Sequence, residues 1–199
     1  MYTGYSYRFT PVRNKITGTD VGFVDTDELY HNMTEVYDFS AIAADNYFID
    51  YQNEYTHMGV LSIRQMFLTS ALAFMKAGEN GRALEMLDRG IDIMKHYPLE
   101  GIPIGFLGND LVIAKVVETY YRLGEKDKAR DLGSNFGAEL LKTARFYLEF
   151  YEYAKDDFEM CVNYIYYLSD TLKDAGEKEM SDQLAGILSS MLKAATGKE

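Results

Sequence analysis

One short turn occurs three times in this chain: Ala77-Gly78-Glu79-Asn80-Gly81-Arg82-Ala83, Leu123-Gly124-Glu125-Lys126-Asp127-Lys128-Ala129 and Ala175-Gly176-Glu177-Lys178-Glu179-Met180-Ser181. Each copy follows an apolar, aromatic stretch of helical periodicity and opens a second amphipathic one. A repeated helix–turn–helix unit predicts stacked hairpins, because one hairpin alone leaves an apolar face that its neighbour must cover. Architectures of this kind mostly hold partners rather than perform chemistry.

The chain has 199 residues, 47% of them hydrophobic, enough for one substantial core and too few for two comfortable ones. Met1 to Asp25 differs from the rest of the chain. Tyr2, Tyr5, Tyr7 and Phe9 alternate with small or polar residues before Pro11, Gly18 and Gly22, which reads as an extended strap packed along a helical body. At Asp25-Thr26-Asp27-Glu28 the pattern changes to a capped helix start with Leu29, Met33, Val36 and Tyr37 on one face. Asp20, Asp25, Asp27 and Glu28 lack the alternating ligand loop and central glycine of a calcium site, so capping is the better account.

From Asp45 onward helices are expected near 45–55, 58–76, 80–95, 109–123, 126–152, 157–174 and 178–194. Gly78, Gly124 and Gly176 fall just past helix ends, where a left-handed residue costs least. Pro98 and Pro103 bracket a glycine-rich loop, Pro98 to Gly108, the one long interruption. The expected organisation is a strap over 1–25 and a single all-α helical-repeat domain over 26–199.

The turns and their flanks resemble tetratricopeptide repeats. Phe67, Ala71 and Phe74 occupy the large, small and aromatic positions of the first helix, and Ala83, Leu87 and Gly90 the small, large and small positions of the second. The second unit keeps Val116, Tyr120, Gly124 and Ala129, with Val117 at the small position and Gly133 and Phe136 exchanged in size. The third keeps Leu168, Ser169, Gly176 and Ser181, and the family's terminal proline is missing, Pro98 coming three positions late. The turns are spaced by 46 and then 52 residues, longer than the family's period. The resemblance implies a tetratricopeptide-like stack of antiparallel hairpins, an α-solenoid with long helices.

A second resemblance covers essentially the whole chain. It is carried by Tyr-Ser-Tyr-Arg-Phe-Thr-Pro-Val (Tyr5 to Val12), Val-Asp-Thr-Asp (Val24 to Asp27), Asn-Tyr-Phe-Ile-Asp-Tyr-Gln-Asn (Asn46 to Asn53) and Ala-Arg-Phe-Tyr-Leu (Ala144 to Leu148). Together these are similar to the soluble C-terminal region of large multi-pass membrane proteins of Bacteroidota related to protein O-mannosyltransferases. The resemblance implies a parent that is a membrane-embedded, lipid-linked-sugar glycosyltransferase, with its catalytic acidic residues in an early extracytoplasmic loop absent here. It also implies that the strap leaves the last membrane helix, that Met1 is an internal start, and that the domain lies on the extracytoplasmic, periplasmic side. A freestanding chain would instead be cytoplasmic, since no signal peptide is visible.

Little chemistry is legible. A formal net charge of -11 repels phosphate backbones, which argues against nucleic acid and against a basic lipid-docking patch. Met58 to Met75, the longest apolar candidate, carries Arg64 and Gln65 and cannot span a bilayer, so no membrane insertion of this chain is expected. Cys161 sits among apolar neighbours as a buried thiol. His31, His57 and His96 are far apart with no metal-ligand spacing, Gly101 to Gly108 lacks a phosphate loop's lysine, and Glu149 with Glu152 reads as a solvated face rather than an acid–base pair. No catalytic residue, cofactor or metal is expected.

Seventeen tyrosines and no tryptophan make a helix-packing core with wet edges, or an aromatic groove for a peptide or glycan. On the tetratricopeptide pattern the concave positions are Gln65, Leu68 and Leu72, then Glu118, Tyr121 and Arg122, then Asn163, Tyr166 and Asp170. Gln65, Glu118, Tyr121, Arg122, Asn163, Tyr166 and Asp170 are the expected partner-binding residues, with Glu118 and Arg122 an i, i+4 pair. The leading expectation is a noncatalytic domain that positions a protein acceptor or partner, the membrane part of its own parent included. The alternatives are a freestanding peptide-binding scaffold and, behind it, a glycan-binding module. An exposed aromatic face would also serve as a dimer interface.

Overall fold

All three Gly-Glu turns close in the same way in the computed structural model, which describes residues 1–4, 6, 24–44, 60–97, 99 and 111–197. Gly78, Gly124 and Gly176 take φ of 80°, 86° and 89°, left-handed conformations that a glycine adopts without Cβ strain. Each glycine N–H donates three residues back, to Met75, Tyr121 and Lys173, and the next N–H donates five back: Glu79 to Phe74 at 2.8 Å, Glu125 to Tyr120 at 2.9 Å, Glu177 to Leu172 at 2.8 Å. That is a Schellman closure, satisfying carbonyls the helix end would otherwise orphan. The same glutamates then accept the first bond of the next helix, from Ala83, Ala129 and Ser181. One residue ends a helix and starts its partner.

The described residues are all-helical apart from turns and one isolated parallel bridge, Tyr2 to Val24. The chain divides into two compact units, Met1–Tyr97 and Pro98–Glu199, the division falling at the start of the glycine-rich loop. The helix expected over 45–55, His57, Asp20 and the Gly101 to Gly108 loop lie outside the described residues, as does most of the strap beyond Gly4.

In the first unit α1 (Thr26–His31) is capped by Asp25, whose Oδ1 accepts from Glu28 N at 3.1 Å. A π-helical turn, Asn32–Val36, comes next, then the single turn α2 (Ser40–Ala43) and the hairpin of α3 (Val60–Lys76) and α4 (Asn80–Ile93). The π turn is not legible in the sequence, because its cause is tertiary. Asn32 Nδ2 and the Tyr37 hydroxyl both donate to Thr3 O at 3.1 Å, which draws the helix end onto the strap. Tyr2 and Thr3 are buried against this seam.

The hairpin interior follows the large–small pattern. Phe67, Ala71, Phe74, Ala83 and Leu87 are all 2% exposed or less, and a Cβ on Gly90 would stand 2.8 Å from that of Phe67. Leu68, placed on a concave surface by the pattern, is 1% exposed and belongs to the core. Arg64 is buried too, and its Nη2 donates to Tyr97 O at 3.2 Å and Met94 O at 3.4 Å, a cation on the carbonyl end of α4.

The second unit pairs two hairpins, α5 (Val112–Leu123) with α6 (Lys126–Glu149) and α7 (Lys155–Asp174) with α8 (Lys178–Thr196). Contacts run α6 to α7, α5 to α7 and α6 to α8, so like helices lie beside like. The small positions are Val117 and Ala129 in one hairpin, Ser169 and Ser181 in the other, all buried. Phe136, Phe158, Cys161, Ile165 and Leu168 fill the space between the hairpins' helices. Helix α6 stops at Glu149 rather than 152, because Tyr151 turns inward to meet Phe158 edge-on at 5.6 Å.

Candidate functional site

Five of the expected contact residues reach the surface of the second unit, on the side where α5 lies against α7. Across that seam the Tyr167 hydroxyl donates to Glu118 Oε2 at 2.8 Å. Burial first, then the adjoining Glu118 carboxylate, push the Tyr167 phenol up to about 12, so it stays protonated and serves as a fixed donor. The bond binds the first helix of one hairpin to that of the next. Arg122 Nη1 stands 4.0 Å from Glu118 Oε1, the expected i, i+4 pair, loose and half-exposed.

Beyond this seam α7 presents Asn163, Tyr166 and Asp170, all exposed, at i, i+3 and i+7. Tyr166 is 48% exposed, a ring with both face and hydroxyl available. Tyr121 departs from this stripe. Its hydroxyl is buried without a hydrogen-bond partner among the described residues, and burial, then the neighbouring Glu177 carboxylate, raise its phenol above the ordinary value. Gln65 sits in the first unit, half-buried, its Nε2 donating to Thr69 Oγ1 at 3.0 Å. The arrangement thus offers one cation, two carboxylates, one amide and one aromatic ring on a braced pair of helices.

The pattern of large and small positions does not single out Tyr167, although it supplies the seam's hydrogen bond. The first unit also holds a surface cleft of about 610 Å³ between the π turn and α4, lined by Val36, Tyr37, Asp38, Phe39, Arg89 and Asp92. Asp38 is not free there: Ser40 N donates to its Oδ1 at 2.8 Å, which lowers its carboxyl below the usual range.

Among the described residues no group of three His, Cys, Asp or Glu is placed to hold a metal ion, and no helix is long and apolar enough to cross a membrane. His31 meets Glu35 at 3.2 Å on the surface, and Glu149 and Glu152 are both exposed. No protein family, curated protein or solved structure matches this chain.

Proposed function

We propose that this chain is a noncatalytic, tetratricopeptide-like hairpin domain of a larger membrane-bound glycosyltransferase-like protein. Its work is to bind or position a protein acceptor or partner subunit on the extracytoplasmic side of the membrane. The observation that carries the binding role is the exposed stripe of Asn163, Tyr166 and Asp170 beside Arg122, held on helices braced by the Glu118–Tyr167 bond. A rigid support lowers the ordering cost of docking, and a tyrosine flanked by amide and charge is a common anchor for a peptide chain. The repeated Schellman turns support the repeat reading, and the attachment to a membrane protein rests on the sequence resemblance.

The test uses the native protein in its own cells. A photo-crosslinking residue at Tyr166 should give a discrete adduct that disappears with Arg122→Ala plus Asn163→Ala, while the same residue at exposed Asp131 on α6 gives none. Equal adducts from both positions, or none, would reject the face. The same blot reads the parent: a band several-fold heavier than 22.7 kDa in the membrane fraction supports attachment, and a soluble band near 22.7 kDa rejects it.

A further inference from the structure

Leu29, Met33, Val36 and Tyr37 share one face only if the chain runs on as a regular α-helix, where they fall at i, i+4, i+7 and i+8. Leu29 and Met33 keep to that face, both 0% exposed, whereas Val36 is 54% exposed and lines the cleft beside α4. The cause is the π turn, Asn32–Val36, which takes up one extra residue and carries Val36 off the apolar side. Tyr37 N accordingly donates five residues back, to Asn32 O at 2.9 Å, where an α-helix would use Met33 O. The apolar pattern of this segment and its backbone therefore specify two different registers.

The strap decides between them. Thr3 O accepts from both Asn32 Nδ2 and the Tyr37 hydroxyl at 3.1 Å. Residues five apart on an α-helix point about 140° away from each other, whereas i to i+5 bonding brings them to one side. A single carbonyl thus favours the π register by holding both side chains. Gly4 closes the contact from above: its φ is 105°, and an added Cβ would stand 2.8 Å from Tyr37 Cε2 and 3.2 Å from Met33 Sδ. The strap is packed on the same ring whose hydroxyl it holds. Without it the π register loses two hydrogen bonds, while the α register gains the burial of Val36, effects of comparable size.

We infer that the strap is a register switch for the first unit. Seated, Tyr2 to Gly4 hold Asn32–Val36 as a π turn. Withdrawn, they release the segment to the α register, in which Tyr37 N bonds to Met33 O and Val36 joins Leu29 and Met33. The one-residue shift turns Val36 by about 100° around the axis. Val36, Tyr37 and Asp38 form one wall of the cleft, with Arg89, Asp92 and Ile93 of α4 on the other. The position of the strap therefore sets the shape of the cleft, through one element with two discrete arrangements.

The test places one thiol at the residue that changes sides. Cys161 is buried, and Cys161→Ala with Val36→Cys leaves the introduced thiol as the one group that iodoacetamide can alkylate quickly. With the strap seated it should react readily. Gly4→Ala, which must push the Tyr37 ring aside, should slow the reaction at least about tenfold as the thiol turns inward. Asn32→Ala with Tyr37→Phe removes the two bonds to Thr3 O without touching the strap and should slow it similarly. Circular dichroism and the urea midpoint confirm that each variant is folded. Slowing in both variants is the result expected. A rate unchanged in either variant would overturn the proposal, and so would a faster one, since the segment would then fray rather than change register.

Discussion

Arg130 holds Glu177 at two points: Nη2 donates to Oε1 at 2.8 Å and Nε to Oε2 at 3.2 Å. Glu177 is also the residue whose N–H closes α7 and whose carbonyl opens α8. Its side chain therefore ties the turn of one hairpin to the second helix of the other. In the first unit Glu79 occupies the same turn position, accepting from Thr26 Oγ1 and Arg82 Nη1, both at 2.8 Å. Arg82 in turn reaches Asp27 at 2.8 Å and covers the Tyr30 ring at 4.5 Å, which fastens α1 to the hairpin.

The Arg130 contact predicts an acid-sensitive increment of stability. The guanidinium's hydrogen bond, foremost among the causes, holds the Glu177 carboxyl below its ordinary value. A carboxyl depressed in the folded state contributes in full above its unfolded pKa and is lost as pH falls through the folded one. Wild type should exceed Glu177→Gln in urea midpoint at neutral pH, and the gap should close once pH falls below the carboxylate range. Because the pair is at the surface, the gap should be small and should shrink in about 1 M salt. A gap constant down to pH ~3 would refute the assignment.

The Ser169–Ser181 pair predicts a non-additive cycle. Ser169 Oγ donates to Ser181 O at 3.2 Å and lies 2.9 Å from Ser181 Oγ, so the Ser181 hydroxyl must be the donor in that second contact. Ser169→Ala strands the buried Ser181 hydroxyl and should cost about 1–2 kcal/mol. Ser181→Ala leaves Ser169 its carbonyl partner and should cost less. The double variant recreates the Ala71–Ala83 pair found at the equivalent place in the first hairpin. It should return to within about 0.5 kcal/mol of wild type by urea denaturation.

How much of the fold is readable from sequence depends on where each cause resides. The turn glycines, the Asp25 cap and the buried sequence Phe67, Ala71, Phe74, Ala83, Leu87, Gly90 are local or periodic features, and periodicity is what a sequence displays. Leu68 is misplaced by the repeat pattern because such a pattern assigns faces without knowing how many layers cover them. The π turn depends on a carbonyl at Thr3, some thirty residues from Asn32 in the chain. The Glu118–Tyr167 bond depends on how closely α5 approaches α7, which no spacing rule states. The exposed rings at Phe146 and Phe150 read equally well as core until the chain's turn at Tyr151 is known.

Tyr121 makes a third prediction. Its hydroxyl is buried without a hydrogen-bond partner among the described residues, beside the Arg130–Glu177 pair. Removing an unsatisfied buried hydroxyl while keeping the ring should be neutral or stabilising, by up to about 1 kcal/mol. Tyr121→Phe should therefore raise the urea midpoint or leave it unchanged. A loss above ~1 kcal/mol would mean that the hydroxyl has a bonding partner, such as a buried water.

Two helical glycines separate packing from propensity. Gly90 lies in α4 facing α3, where a Cβ would meet Phe67 Cβ at 2.8 Å and Cγ at 2.9 Å. Neither atom is the flexible end of a side chain, so the helices must part, at a cost of about 1–3 kcal/mol. Against this stands the gain of about 1 kcal/mol in helix propensity. Gly186 lies in α8, where an added methyl would have nothing within 4 Å, so only the propensity gain applies. Gly90→Ala should therefore lower stability on balance, while Gly186→Ala raises it by about 0.5–1 kcal/mol, both read from thermal and urea unfolding. If both substitutions stabilised the chain, α3 and α4 could not be packed as closely as Phe67 on Gly90 requires.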